Sequence, residues 1–344
     1  MKNPFETLSK KAEKGRLQLS DSDKQQLQQE IVKIDQRMNE IRTIRQTTSE
    51  WNKLDENQME ALLNEFISLK KDKEKKQRTL EGKTSGTMIT AETKEGKEIE
   101  FNLEEIKTYW IEFYQQNNLI ELAKEIENID INLTDEQIEK IREKAKEGFD
   151  RLILLPKTEI QKQQLQKIKD QTEKPMKGLK DKQQYLEKPD SSGQKGIWLS
   201  DTVQPNFPDK IQTNNRPESK AYLLFLKDNP QVDKETSNKT PEKLRKEFKQ
   251  KNEAGLTIEE YLIFQRDYTQ RHINEDKPHP DDYGGDGKAT WLLDSELDKQ
   301  SGEPGQVLYA CWHPDFRQVV VYSHPASHSP SSVGARSSAI FEIL

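Results

Sequence analysis

Three of the five histidines, His313, His324 and His328, stand in the C-terminal stretch CWHPDFRQVVVYSHPASHSPSSVGARSSAIFEIL (311–344), with the only cysteine, Cys311, and a run of serines. Imidazole nitrogens in a cluster suit zinc or copper, and Ser or Cys beside His suits nucleophilic catalysis. The spacing of His324 and His328 fits one helix face, but Pro325 and Pro330 do not allow a helix there. Asp315 is the only acid among residues 304–341, and no G-x-S-x-G elbow occurs. DDYGGDGK (281–288) fits neither a phosphate loop nor an EF-hand loop and reads as a flexible loop. Cys311 precedes Trp312 in a strand-like run and reads as core. No catalytic residue, metal site or cofactor is therefore expected.

The same stretch avoids the two residues that dominate the rest of the chain. Lysine and glutamate are absent between Glu303 and Glu342, although Lys+Arg number 55 and Asp+Glu 61 overall. Buried strands avoid both residues, which covers QVVVY and AIF. It does not cover SHPASHSPSS, which is too polar for a core. Randomising only the adenines of an Asn codon reaches Asn, Tyr, His, Asp, Ile, Thr, Ser, Phe, Cys, Leu, Pro, Arg, Val, Ala and Gly. From His313 to Ile340 every residue except Gln318 belongs to that set.

The elements that would carry this segment follow from the wider sequence. The chain has 344 residues, 34% charged and 31% hydrophobic, with a net charge of -6. So polar a composition points to long solvated helices beside one better-packed domain, and gives no sign of a nucleic-acid-binding face. No apolar run is long enough to span a membrane, and a single cysteine allows no intrachain disulfide; a soluble, cytoplasmic protein is expected. SDSD (20–23) offers helix caps. Leu27, Ile31, Ile34, Met38 and Ile41 then form a narrow seam, continued at Ile44 or Arg45. A second stripe follows at Leu62, Leu63, Phe66 and Leu69. The pair reads as a helical hairpin, with partner docking or self-association through the seam as the alternative.

Residues 87–101 alternate around Gly96 and predict a β-hairpin. LEEIKTYWIEFYQQNN predicts a helix with Ile106, Trp110, Phe113 and Tyr114 on one face. Thr134 with Gln137, and Thr257 with Glu260, form capping boxes, and Leu256 with Tyr261 can staple the second. KPDSSGQKG (188–196) reads as a linker. Beyond it, IWLSD, AYLLFL, ATWLLDS, GQVLYACW and RQVVVY predict strands, with a helix-rich insert between the second and third. The expected fold class is α+β. The expected domains are a helical hairpin over 1–85, a small, mostly helical α+β unit over 86–187, and a ligand-binding domain over 188–344.

TWLLDS, W-x-P-D-x-R-Q-V-x-V and the late G-A-R resemble the C-terminal variable region of target proteins of bacterial diversity-generating retroelements. GLTIEEYLIFQRDY is similar to the helix that precedes that region. The resemblance covers about residues 190–344 and leaves the first 185 unmatched. It implies a C-type lectin-like C-terminal domain that binds and does not catalyse. It also implies a 3′ end rewritten by a reverse transcriptase with adenine-specific errors. Ser337 stands where family members often carry proline, and EPG (303–305) is not the E-P-N of calcium-binding lectins, so calcium is not implied.

On this reading, about 312–340 is hypervariable. The binding face would comprise His313, Phe316, Val320, Tyr322, Ser323, His324, Ala326, Ser327, His328, Ser331 and Ser332. The scaffold would comprise Trp291, Trp312, Arg317, Gln318, Val319, Val321, Gly334 and Arg336. The partner would be a protein or other macromolecule, not nucleic acid. Lectin-like domains bring their ends together, so GIWLSD is expected to pair near SSAIFEIL. Two other functions compete: a formylglycine-generating-type enzyme of the same general fold, which needs a metal or thiol site, and a structural helical interaction protein.

Overall fold

The computed structural model describes residues 21–47, single positions between 53 and 73, and residues 88–185, 196–284, 287–297 and 305–343. Ser20, Leu63, the linker 188–195, Gly285, Asp286 and the first two residues of EPG lie outside the described residues. The chain divides into two compact units, residues 1–88 with 102–104, and residues 89–101 with 105–344. Among the described residues no helix is long and apolar enough to cross a membrane.

The first unit is built on the helix Asp21–Gln46. Its seam, Leu27, Ile31, Ile34, Met38 and Ile41, is buried, while Val32 on the outer side is 52% exposed. Leu62, Phe66 and Leu69 are half-buried. Arg37 binds Glu65 with both Nε (2.8 Å) and Nη2 (3.1 Å), and Lys73 reaches Asp35 at 2.6 Å. These ties join positions 65 and 73 to the first helix.

Among the described residues, three sheets follow the first helix. β1 (Met88–Glu92) and β2 (Glu98–Asn102) form the expected hairpin, with Gly96 at φ 75 in its turn. β3 (Arg151–Leu155) and β11 (Ser338–Glu342) flank β6 (Tyr222–Leu226), both antiparallel to it. The largest sheet runs β10 (Val333–Ala335), β7 (Ala289–Leu297), β8 (Gln306–His313), β9 (Gln318–Pro325), β4 (Ile197–Leu199), and β5 (Ile211–Thr213) also pairs with β7. The mixture of helices and sheets makes the chain α+β.

Between these sheets lies the helix Ile258–Arg271, opened by the Thr257–Glu260 capping box. It is buried on nearly every side, so its polar residues need partners. Arg216 supplies one set: its guanidinium binds both Glu260 oxygens (2.6 and 2.7 Å) and Asp294 (2.9 Å), and Tyr222 donates to Glu260 at 2.8 Å. A break in register between Leu292 and Glu296 of β7 accompanies the turn of Asp294 toward Arg216.

Two expectations are corrected. Residues 86–187 do not make a unit of their own. β3 fills the edge of the β6–β11 sheet, and Trp110 Nε1 and Tyr114 OH donate to the Leu152 and Leu154 carbonyls at 3.0 and 2.9 Å. The all-apolar β6, buried throughout, needs a neighbour on both edges, and a domain starting at 188 would leave one edge bare. The second correction concerns β4. It pairs in parallel with β9, Ile197 opposite Val319, and not with β11, whose partner is β6.

Candidate ligand-binding face

Pairing in register decides which side of the sheet each residue takes. Tyr309 lies opposite both Trp291 and Tyr322, Cys311 opposite Val320, and Val307 opposite His324. Directly opposed residues share a face, and alternate residues along a strand do too. One face therefore carries Trp291, Val307, Tyr309, Cys311, His313, Val320, Tyr322 and His324. Trp198 of β4, opposite Val320, joins it.

The helix Pro241–Gln250 seals part of this face. Leu244 and Phe248 pack in one buried cluster with Trp291, Leu293, Val307, Cys311 and Val320. Val320 is only 3% exposed. Its place in the predicted binding face is thus corrected: it points to the right side of the strand, but it lies in the core cluster that the helix completes.

Beyond the helix the face opens into a column of rings. Tyr322 stacks on Tyr309 at 5.2 Å and 16°, and Tyr309 stacks on His324 at 5.2 Å and 10°. Trp198 lies 5.2 Å beyond Tyr322, and His328 lies 4.5 Å beyond His324. All but the exposed His328 are half-buried. Burial raises the phenols of Tyr309 and Tyr322 above the usual tyrosine range. Burial, then the neighbouring His328, lowers His324. Tyr322, Tyr309 and His324 are thus uncharged near neutral pH.

A second aromatic group stands at the other end of β8. His313 stacks on Phe316 at 4.3 Å, with Tyr283 6.0 Å away, and Phe316 is 56% exposed. Ala326 packs beside Tyr322 against the core cluster. Ser327, His328 and Ser331 are exposed and Ser332 is half-buried. Ser323 differs: alternation turns it to the opposite face, where Oγ donates to Gln306 Oε1 at 2.5 Å. The structure brings Phe316, His313, Tyr322, His324, Ala326 and His328 to one side of the sheet. Trp198, Tyr309 and Tyr283 belong with them and were not singled out. Period-two alternation from His313 reaches Tyr309, whereas Trp198 arrives through a pairing that no local signal encodes.

The scaffold residues sit on the closed parts of the unit. Trp291, Trp312, Gln318, Val319, Val321, Gly334 and Arg336 are all buried. Trp312 stacks on His279 at 3.6 Å, and the Trp312 N–H donates to the Asp281 carbonyl at 3.0 Å. Arg336 binds both Asp281 oxygens (3.1 and 2.7 Å) and the Asn229 carbonyl (2.8 Å), while Thr290 donates to Asp281 at 2.6 Å. A Cβ on Gly334 would meet Val232 Cγ2 at 2.6 Å, so only glycine lets β10 approach. Arg317 holds φ 52 in the β8–β9 turn and donates to the Gln184 carbonyl at 2.9 Å. The Ser337 N–H donates to Asp233 Oδ2 at 2.9 Å, a bond that proline at 337 could not make.

Cys311 is 4% exposed, and burial pushes its thiol well above the usual range, opposite to what a nucleophile needs. Among the described residues no three His, Cys, Asp or Glu side chains are placed to hold a metal ion. No family model, no curated protein and no solved structure matches this chain.

Proposed function

We propose that this chain is a diversified ligand-binding protein. Its C-terminal domain is read as C-type lectin-like, and its codons over about 312–340 as varied at adenines by a diversity-generating retroelement. The observation that carries the binding reading is the uncharged ring column Tyr322–Tyr309–His324, open to solvent beyond the helix Pro241–Gln250. It coincides with the segment from which lysine and glutamate are missing. Tyrosine and serine suit such a surface because they give contact area and adaptable hydrogen bonds at low entropy cost. The partner is a protein or other macromolecule, met in the cytoplasm. The enzyme alternative needs a reactive thiol or metal centre, and Cys311 is sealed and protonated.

Amplicon sequencing of codons 306–344 across a population of the host bacterium tests the reading. Substitutions should concentrate at 313, 316, 322, 324, 327, 328, 331 and 332 and follow adenines of a near-identical template copy. Codons 312 and 318 should stay fixed. A population without such substitutions, or with changes spread evenly over 306–344, refutes it.

A further inference from the structure

The helix Asp21–Gln46 carries a second stripe besides its apolar seam. The seam, Leu27 to Ile41, is buried within the first unit. On the opposite side stand Gln25, Gln29, Val32, Gln36, Asn39 and Thr43, all exposed and spaced by alternating steps of four and three. That spacing lets one helix meet another along its length. None of the six is charged, although ten of the helix's 26 residues are. The outer face of so charged a helix is normally where the charges gather.

A carboxamide offers both donors and an acceptor, so a stripe of them complements a copy of itself. Asn39 Oδ1 accepts from Arg42 at 3.0 Å and the Asn39 carbonyl from Thr43 at 2.9 Å. These bonds leave the Asn39 amide donors and the Thr43 methyl for an outside contact.

The charges beside the stripe discriminate between ways of pairing. Lys33 and Glu40 flank it on one side, Asp35 and Arg42 on the other. In a parallel pair, Asp35 would stand against Glu40 of the partner subunit, and like charges repel. In an antiparallel pair each flank meets its own copy. With Gln36 level with Asn39 of the partner subunit, Lys33 lies beside Glu40 of the partner subunit and Asp35 beside Arg42 of the partner subunit, each twice by symmetry. Sliding by one heptad either way sets Lys33 and Asp35, or Glu40 and Arg42, against their own copies. Within the chain Glu40 Oε2 already accepts from Arg37 at 2.9 Å, and Asp35 Oδ1 from Lys73 at 2.6 Å. Each carboxylate keeps its other oxygen for a second cation.

We infer that two copies of this chain pair antiparallel along this stripe, with Gln36 opposite Asn39 of the partner subunit and Val32 opposite Thr43 of the partner subunit. The pairing does not depend on the proposed function, although two joined recognition domains gain avidity for a repeated partner surface.

Sedimentation equilibrium of the full chain tests this. The apparent mass should climb from 40.2 kDa toward twice that value as the concentration rises to about 100 µM, as a small polar interface allows. Lys33→Glu should weaken the pairing about tenfold. The double variant Lys33→Glu/Glu40→Lys should restore it, because opposite charges meet again, and a damaged helix would not be rescued in this way. Cysteines fix the direction. Val32→Cys/Thr43→Cys should give a disulfide-linked dimer under mild oxidation, since the two sites are about 16 Å apart on one helix and cannot close within a chain. Val32→Cys alone should run as a monomer on a non-reducing gel, and native Cys311, 4% exposed, does not interfere. A chain that stays at 40.2 kDa overturns the inference, as does a dimer indifferent to Lys33→Glu. Efficient cross-linking through Val32→Cys alone also overturns it, because that requires another register or a parallel pair.

Discussion

β9 changes character along its length, and the change separates two kinds of surface. Its first half, Gln318–Val321, is buried on both sides, with Val319 and Val321 facing one way and Val320 facing Cys311 under the helix Pro241–Gln250. Its second half, Tyr322–Pro325, is half-buried on both sides. The same backbone ladder to β8 continues through both halves, from His313–Gln318 to Gln306–Pro325. A strand held by its backbone along its whole length, but by side-chain packing only at one end, can change side chains at the other end at little cost. The closed half is fixed by packing on both sides, and the open half is not.

Breaking the closed side should have the largest effect. Arg336→Met leaves Asp281 charged, buried and without its cation, and should cost about 3–5 kcal/mol in urea unfolding. Trp312→Ala removes a ring packed against His279 and Tyr185 and should cost a similar 3–5 kcal/mol. A loss below about 1 kcal/mol for both variants would erase the contrast between the two halves.

Acid should act on the closed side too. Burial lowers His279 from 6.5 to about 4, so between those values the unfolded chain binds a proton that the folded chain does not. Stability therefore falls as pH drops from about 6.5 toward 4, by about 3 kcal/mol in all. His279→Gln should flatten this limb of the pH–stability curve, whatever it costs at neutral pH.

At the open end the effects should be small. Ser327→Tyr, His328→Ser and Ser331→His should each stay within about 0.5 kcal/mol, as exposed positions do. Differential scanning fluorimetry on the three variants checks this.

What could be read from sequence was local. The capping boxes at Thr134 and Thr257 need only three residues each, and both form as expected. The hairpin around Gly96 and the five apolar runs from IWLSD to RQVVVY became strands for the same reason. What could not be read was who pairs with whom. RLILLP carries no sign that its partner is YLLFL, some seventy residues on, and so the unit boundary fell in the wrong place. Val320 shows the same limit at one residue. Alternation put it on the correct side of β9, but its burial is decided by Leu244 and Phe248, on a helix far away in the chain. Trp198 entered the face through the parallel pairing of β4 with β9, which overrode the expected pairing with the C-terminal strand.

One measurement bears most directly on the division between a fixed scaffold and a replaceable face. Two libraries of the full chain would be displayed and sorted for resistance to protease. One randomises codons 313, 316, 322, 324, 327, 328 and 331, and the other randomises 312, 318, 319, 321, 334 and 336. Most members of the first library should survive, with Tyr, Ser, His and Phe interchangeable at each position. The second should collapse almost entirely to Trp312, Gln318, Val319, Val321, Gly334 and Arg336. Equal depletion of the two libraries would contradict the account.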